Sequence, residues 1–191
     1  MKHCGTQPLN SQRLLLRPFC KEDAAPMFRN WGSNPNVTRF LRWPTQQDVQ
    51  TAETVINSWI EKYSEPDWYQ WAIVPKDLNE PIGSISVVRY DDRTESMELG
   101  YCIGENWWKQ GYTSEAMELV LAYLFQTVGA NRVEARHDTE NPGSGAVMAH
   151  AGMRYEGLQR QADWSNMGDH RDMVFRAILR SDPEAKRYLG E

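Results

Sequence analysis

The sequence predicts a single domain of mixed α/β architecture, and three observations support that prediction. The chain has 191 residues, a length that suits one domain with a core of its own. Strand-like and helix-like periodicities alternate along it in the order βααβββαβαββ. Its middle contains consecutive strand-like runs joined by short polar turns, which is typical of an antiparallel meander.

The first half of the chain contains four predicted strands and two predicted helices. The run RLLLRPF (residues 13–19) predicts the first strand, and residues 23–31 predict a short helix followed by Gly32. Apolar residues at helical spacing predict a longer helix over residues 47–63. Three further strands are predicted over residues 68–74, 82–90 and 96–103.

The second half alternates helices and strands. A helix is predicted to begin near Thr113 and to end at Gly129, where its apolar stripe stops. A strand follows over residues 132–137, and a short helix over residues 141–151 is closed by Gly152. The last two strands are predicted over residues 153–161 and 173–179.

Charge and composition exclude several classes of protein. With 21 basic and 26 acidic residues the net charge is −5, which disfavours a nucleic-acid partner. The longest uncharged stretch, residues 119–131, has 13 residues, too few to span a bilayer. Three cysteines without a CxxC pattern indicate neither a disulfide framework nor a zinc site, so a cytoplasmic location is expected.

One segment combines features that suit an anionic ligand. In residues 103–118 a strand ends, an amide-rich loop follows and a helix begins. Backbone N–H groups at a helix N terminus bind phosphate-bearing anions, and Gly111 allows a close approach. The alternative is a plain turn glycine before a helix capped by Thr113 or Ser114.

A second segment, residues 138–152, is ambiguous when it is considered alone. Asn141 followed by Pro142 is typical of the first positions of a helix. That role by itself explains Asn141, and Ser144 would then be a solvated residue of the first helical turn.

Together the two segments resemble the GNAT superfamily of acyl-CoA N-acyltransferases, and within it the branch of ribosomal-protein N-terminal alanine acetyltransferases. In the superfamily a bulged strand leads into a Q/R-x-x-G-x-G/A loop and a helix. Residues 108–116, WKQGYTSEA, are similar to the branch's common WGKGYATEA run. The family's NxxS pattern matches Asn141 to Ser144, and its KLGF…EG pattern matches residues 149–157.

The resemblance covers about residues 11–181, with residues 1–10 as a leader and residues 182–191 as a C-terminal tail. It implies a GNAT-type domain in which a central, twisted, mostly antiparallel sheet is flanked by helices. It also implies acetyl-CoA as co-substrate and no metal.

In the family the loop amides hold the CoA pyrophosphate, the preceding strand pairs with pantetheine and supplies an oxyanion donor, and the Asn of NxxS binds the pantetheine amide. The corresponding positions here are Tyr101, Cys102, Ile103, Trp108, Lys109, Gln110, Gly111, Tyr112, Thr113, Ser114, Asn141 and Ser144. Lys109 stands where the branch often has glycine, and Thr113 where it has alanine or glycine.

Acyl transfer to an amine requires a neutral amine and a proton for the leaving thiolate. The resemblance implies that Ser144 hydrogen-bonds the sulfur as general acid and that Glu98 is the base, acting through water. Strand alternation places Glu98 on the face opposite Met97 and Leu99. An ordinary exposed strand carboxylate is the alternative for Glu98, and His137 or Asp138 are alternative bases.

The resemblance implies that the acceptor binds beside Glu98 at Arg39, Phe40 and Trp43. Ordinary core packing is the alternative for the aromatic residues of this set. A peptide α-amine has a pKa of about 7.7–8.0, against about 10.4 for lysine, so it needs the weaker base. The leading acceptor is therefore a protein or peptide N terminus. The alternatives are a small amine, an amino acid or an antibiotic.

A catalytically silent acyl-CoA-binding module is the alternative from another class of protein. The presence of both Ser144 and Glu98 argues against it, because a silent module need not keep them. A monomer or a homodimer is expected, with an amine acceptor as partner and neither nucleic acid nor a membrane.

Overall fold

The computed structural model describes residues 1–190, whose strands form one eight-stranded sheet. The strands are β1 (Leu9–Asn10), β2 (Leu14–Arg17), β3 (Gln70–Pro75), β4 (Gly83–Asp91), β5 (Ser96–Ile103), β6 (Arg132–Asp138), β7 (Arg154–Trp164) and β8 (His170–Leu179). Their order across the sheet is β1-β2-β3-β4-β5-β6-β8-β7, and only β5 and β6 run parallel. Each predicted strand is present with bounds shifted by at most three residues, and the expected GNAT-type architecture is confirmed.

Helices cover both faces of the sheet. They are α1 (Ala24–Met27), α2 (Pro35–Thr38), α3 (Val49–Ile60), α4 (Tyr112–Tyr123), α5 (Pro142–His150) and α6 (Lys186–Leu189). Buried side chains of α4, α5 and α6 pack on one face, against Met97 and Leu99 of β5. Buried side chains of α1, α2 and α3 pack on the other face, against Ala72 and Val74 of β3. None of the helices among residues 1–190 has the length and apolar character needed to cross a membrane.

The helix expected over residues 23–31 is interrupted in the structure. A 3-10 turn precedes α1, and a π-helical turn over Phe28–Gly32 follows it. The wider turn places Trp31 in the core without exposure to solvent. The short helix α2 was not predicted, although Asn34 caps it by accepting a hydrogen bond from the Asn36 amide at 2.9 Å.

Residues 1–10, expected as a leader, lie along the sheet in the structure. Leu9–Asn10 pair with β2, and the Trp71 indole donates to the Gln7 carbonyl oxygen at 2.7 Å. Met1, Cys4 and Leu9 pack against the core, and this apolar burial stabilises the segment on the domain. The boundaries at residues 11 and 181 stay predictions.

The separation of β5 from β6 positions the candidate site. Their pairing covers only Ser96–Leu99 with Arg132–Ala135, although β5 continues to Ile103 and β6 to Asp138. We call this divergence the fork. Because the two strands are parallel and each leads into a helix, α4 and α5 both begin at the open end of the fork.

A β-bulge lies next to the fork, on a different strand from the one that the resemblance implies. The bulge is in β4, where Val88 is the extra residue between the pairs Val87–Leu99 and Arg89–Glu98. A bulge of this kind bends its strand and increases the local twist. It therefore changes the direction of the sheet beside Glu98.

Candidate active site

A cleft of about 1360 Å³ occupies the fork and extends over the β5 face that carries Glu98. Most residues that the sequence singled out line it: Arg39, Phe40, Trp43, Glu98, Tyr101, Cys102, Ile103, Trp108, Lys109, Gly111, Thr113, Ser114, Asn141 and Ser144. Gln110 and Tyr112 do not line it. The Gln110 carbonyl oxygen accepts a hydrogen bond from Arg13 at 3.1 Å, and the Tyr112 ring lies 4.7 Å from the Arg13 guanidinium.

The loop before α4 depends on two residues in the left-handed backbone region. Gly111, the N-cap of α4, has φ +84°, which glycine adopts without steric cost. Lys109 has φ +60°, so the glycine that the branch often has at this position suits the backbone better than lysine does. Lys109 and Thr113, the two departures from the family pattern, leave the amide donors at the start of α4 in place, and these donors suit an anionic phosphate.

Replacing Gly111 by valine should weaken acetyl-CoA binding and lower Tm. A β-branched residue at φ +84° is strained, and its Cβ would lie 3.3 Å from Arg13 Nη2 in the lining of the cleft. Gly129→Val is the matched control, because Gly129 has φ +81° with no atom within 4 Å of an added Cβ. Both variants should lose Tm, but only Gly111→Val should lose most of the thermal shift produced by acetyl-CoA. An equal shift in the two variants would contradict a site at this loop.

Ser144 lies at the first turn of α5, where its side chain meets Tyr101. The Ser144 amide donates to Asn141 Oδ1 at 3.2 Å, so Asn141 caps the helix as its sequence position suggested. The Tyr101 hydroxyl lies 2.9 Å from Ser144 Oγ and donates to the Ser144 carbonyl oxygen at 2.8 Å. Because the phenol donates its hydrogen bond to that carbonyl oxygen, the remaining contact is one in which Ser144 Oγ donates to the phenol oxygen. Ser144 is therefore part of a hydrogen-bonded pair and not an isolated solvated residue.

Tyr101 contributes a side chain that the sequence analysis did not use. Burial raises the pKa of its phenol above the ordinary value, so the group stays protonated at neutral pH. Strand alternation could have found it, because Tyr101 shares the face of Met97 and Leu99, the face on which α4 and α5 pack.

Glu98 is buried between two arginines on the opposite face of β5. Its residue is 8% exposed, so an ordinary exposed carboxylate is excluded. Glu98 Oε1 lies 3.0 Å from Arg136 Nε, and Oε2 lies 3.3 Å from Arg89 Nε. Burial raises the pKa of the Glu98 carboxyl, and the positive charge of Arg89 opposes that shift. A carboxyl with a raised pKa is a stronger base than an exposed one.

The alternative bases lie at the end of β6. His137 Nδ1 is 2.8 Å from the Asp138 carbonyl oxygen, and Gly145 packs against the His137 ring. Asp138 Oδ1 accepts a hydrogen bond from the Glu140 amide at 2.8 Å, and Oδ2 lies 3.6 Å from Arg171. These contacts tie both residues into the corner between β6 and α5.

Residues 38–43, which we call the acceptor loop after the role that the resemblance implies, contribute residues 39–43 to the lining of the cleft. The Arg39 guanidinium lies 4.5 Å from the Phe40 ring centroid, and Phe40 and Trp43 are half-buried. Asn166, in the turn between β7 and β8, holds the loop by donating to the carbonyl oxygens of Thr38, Leu41 and Trp43 at 2.7–2.9 Å. The sequence offers no local sign of this contact, because it joins segments more than 120 residues apart.

The forked sheet, with two helix N termini at its open end, has the architecture that the resemblance implies for the class of acyl-CoA-dependent acyltransferases. The family model described as "Acetyltransferase (GNAT) domain" matches residues 13–154. The chain therefore belongs to the GNAT acetyltransferase family and is an acetyl-CoA-dependent N-acetyltransferase. Within residues 1–190 no group of three or more His, Cys, Asp or Glu side chains is arranged to hold a metal ion.

Known relatives agree with this assignment. The chain is 30% identical over 158 residues to the uncharacterized N-acetyltransferase YoaA of Bacillus subtilis (strain 168), covering 83% of this chain and 89% of that protein. It is 25% identical over 159 residues to the ribosomal-protein-serine acetyltransferase of Escherichia coli (strain K12), covering 82% and 87%. Its fold superposes with TM-score 0.80 and 19% identity on RimL, a ribosomal L7/L12 alpha-N-protein acetyltransferase in complex with coenzyme A, covering 91% and 98%.

Proposed function

We propose that the chain transfers the acetyl group of acetyl-CoA to the α-amine of a protein or peptide N terminus. The buried, ion-paired Glu98 in the cleft is the observation that carries the proposal, because it offers a base of moderate strength on the same face as the acceptor loop. At pH 7 deprotonation of an α-amine costs roughly 1.4 kcal/mol, and deprotonation of a lysine side chain costs about 4.6 kcal/mol. A carboxylate acting through water is a strong enough base for the α-amine but a weak base for the lysine.

The residues of the cleft divide the reaction between the two sides of the fork. The amine nitrogen attacks the thioester carbonyl carbon, a C–N bond forms and the C–S bond breaks. The amine proton passes through water to Glu98, and the thiolate takes a proton from Ser144 Oγ. Ser144 Oγ regains a proton from solvent, and the Tyr101 hydroxyl, 2.9 Å from that oxygen, orients the serine and keeps its own proton. The main chain of residues 101–103 and the amides before α4 hold pantetheine and pyrophosphate.

The acceptor would meet the acceptor loop, where Arg39, Phe40 and Trp43 offer aromatic and cationic contacts. Two of the proteins compared above, the ribosomal-protein-serine acetyltransferase of Escherichia coli and RimL, are named for ribosomal-protein acceptors, which supports a protein acceptor here. A ribosomal-protein acceptor would place the enzyme in the cytoplasm, and the three free cysteines are consistent with that reducing compartment.

A matched set of acceptors tests the proposal through release of free CoA at pH 7. One peptide has a free N terminus and no lysine, the second has a blocked N terminus and one lysine, and small amines form the third group. We expect the first peptide to react at least about tenfold faster than the second, given the pKa difference of its amine. Faster turnover of small amines or of the blocked peptide would contradict a protein N terminus as acceptor.

A thermal-shift series separates an enzyme from a silent module. Acetyl-CoA should raise Tm by binding the folded state, and NAD or ATP at equal concentration should raise it less. A shift with acetyl-CoA but no CoA release with any amine would support the silent module and contradict the proposal.

A further inference from the structure

A chain of ion pairs joins the acceptor loop to Glu98 across three parts of the fold. Arg42 Nη2, in the acceptor loop, lies 3.1 Å from Oδ2 of Asp163 near the end of β7. The same Asp163 oxygen lies 3.8 Å from Nη2 of Arg136 on β6. Arg136 in turn contacts Glu98 through its Nε at 3.0 Å. All four side chains line the cleft.

We propose that Asp163 is a positioning residue that holds Arg42 at the cleft wall and competes with Glu98 for Arg136, so that the basicity of Glu98 depends on where the acceptor loop stands. This inference rests on the proposed role of Glu98 as base. Asp163 itself touches no reacting atom. It acts on the loop through Arg42 and on the base through Arg136.

The position of Asp163 is fixed by the hairpin that carries it. The turn between β7 and β8 is tied to the acceptor loop by the three hydrogen bonds of Asn166. The Asp163 side chain is 23% exposed and is shared between two guanidinium groups. A partly buried carboxylate between two cations gains more from both pairs than a fully exposed one.

The charged groups that face Glu98 come from every neighbouring element. Arg89 projects from β4, Glu134 and Arg136 from β6, Asp163 from β7 and Arg42 from the acceptor loop. The cations favour the carboxylate and lower its pKa, and the anions raise it. Removing an arginine and removing Asp163 must therefore shift the Glu98 titration in opposite directions.

Three variants test the inference. Arg136→Gln should raise the pKa of Glu98 by about 1 unit or more, the effect of removing an opposite charge in direct contact. Arg42→Gln should raise it by a smaller amount, because the Arg42 side chain is 62% exposed and does not contact Glu98 directly. Asp163→Asn should lower it by roughly 0.5 units, because Arg136 then serves Glu98 alone. It should also raise KM for the acceptor peptide about two- to fivefold, the worth of a partly exposed ion pair.

The Glu98 carboxyl is followed directly by ¹³C NMR titration of the full chain, with Glu98→Gln used to assign its resonance. Acceptor KM, acetyl-CoA KM and the pH profile of kcat/KM are measured on the same samples. Asp163→Glu keeps the charge and should restore the wild-type profile. Asp169→Asn is the matched control for a disturbed turn, since Asp169 contacts Ser165 and Arg171 on the same hairpin but lies outside the cleft.

Opposite shifts of the Glu98 titration with a selective rise in acceptor KM would support the inference. Shifts in the same direction for Arg136→Gln and Asp163→Asn, or equal effects of Asp163→Asn and Asp169→Asn, would overturn it. If the carboxyl titration shifts as expected while the kcat/KM profile does not follow, the coupling stands and Glu98 loses its role as base. That result would overturn Glu98 as the proposed base but would leave the positioning role of Asp163 in place.

Discussion

Ser144→Ala is expected to lower kcat by roughly 10²–10⁴-fold, the usual contribution of a general acid. The expected loss follows from the position of Ser144 Oγ at the fork, where the Tyr101 hydroxyl orients it from 2.9 Å. The affinity for acetyl-CoA should change little, because the amides before α4 and the edge of β5 are untouched. Steady-state kinetics and a binding titration on one sample measure both quantities.

Two further variants make this result specific. Tyr101→Phe keeps the ring but removes the hydroxyl, so kcat should fall by less than in Ser144→Ala. Ser58→Ala is the control, since Ser58 on α3 donates only to the Val55 carbonyl oxygen and lies outside the cleft. If Ser144→Ala kept its turnover and lost only about 1 kcal/mol of stability, Ser144 would be a helix-start residue and not the acid.

Glu98→Gln should shift the kcat/KM profile to higher pH, because only amine that is already neutral in solution would then react. The wild-type profile should fall below the pKa of Glu98, which burial raises above its ordinary value. For a peptide N terminus the deficit of the variant should shrink near pH 8, where the amine itself loses its proton. For a lysine acceptor the deficit should remain large at pH 8.

The same raised pKa predicts the effect of Glu98→Gln on stability. A carboxyl whose folded pKa exceeds its unfolded pKa contributes stability below the unfolded value and loses that contribution as pH rises through the folded value. Above its folded pKa the ionised Glu98 therefore contributes none of that stability, and there Glu98→Gln should not lower Tm.

A Glu98→Gln variant with an unchanged kcat/KM profile would eliminate Glu98 as base and favour Asp138 or His137.

Local patterns in the sequence were sufficient for much of this fold. The alternation of Ser96–Ile103 placed Glu98 and Leu99 on opposite faces, and their contacts agree: Leu99 packs in the core with α4, whereas Glu98 pairs with Arg89 and Arg136. The Asn141-Pro142 pair marked the start of α5, where Asn141 does cap the helix. Such signals are readable because they depend on neighbours within a few residues.

The features that the sequence analysis did not predict depend on contacts between segments that are distant in the chain. Arg136 reaches Glu98 because β5 and β6 pair in parallel with Glu98 opposite Glu134, a register that no local pattern specifies. Asn166 holds the acceptor loop from the far end of the chain. The π turn over Phe28–Gly32 accompanies the packing of Trp31 into the core, where tertiary contacts outweigh helical periodicity.

The fork also divides the sheet mechanically. Among residues 1–190, a seam of four residue pairs joins a five-stranded leaf, β1 to β5, to a three-stranded leaf of β6, β8 and β7. Beyond the seam, the edge of residues 100–103 that faces β6 has no strand partner. A molecule bound along this edge would serve as a second seam between the leaves. Deuterium exchange at these amides should therefore slow when acetyl-CoA is added, while amides of the β3–β4 ladder keep their rate.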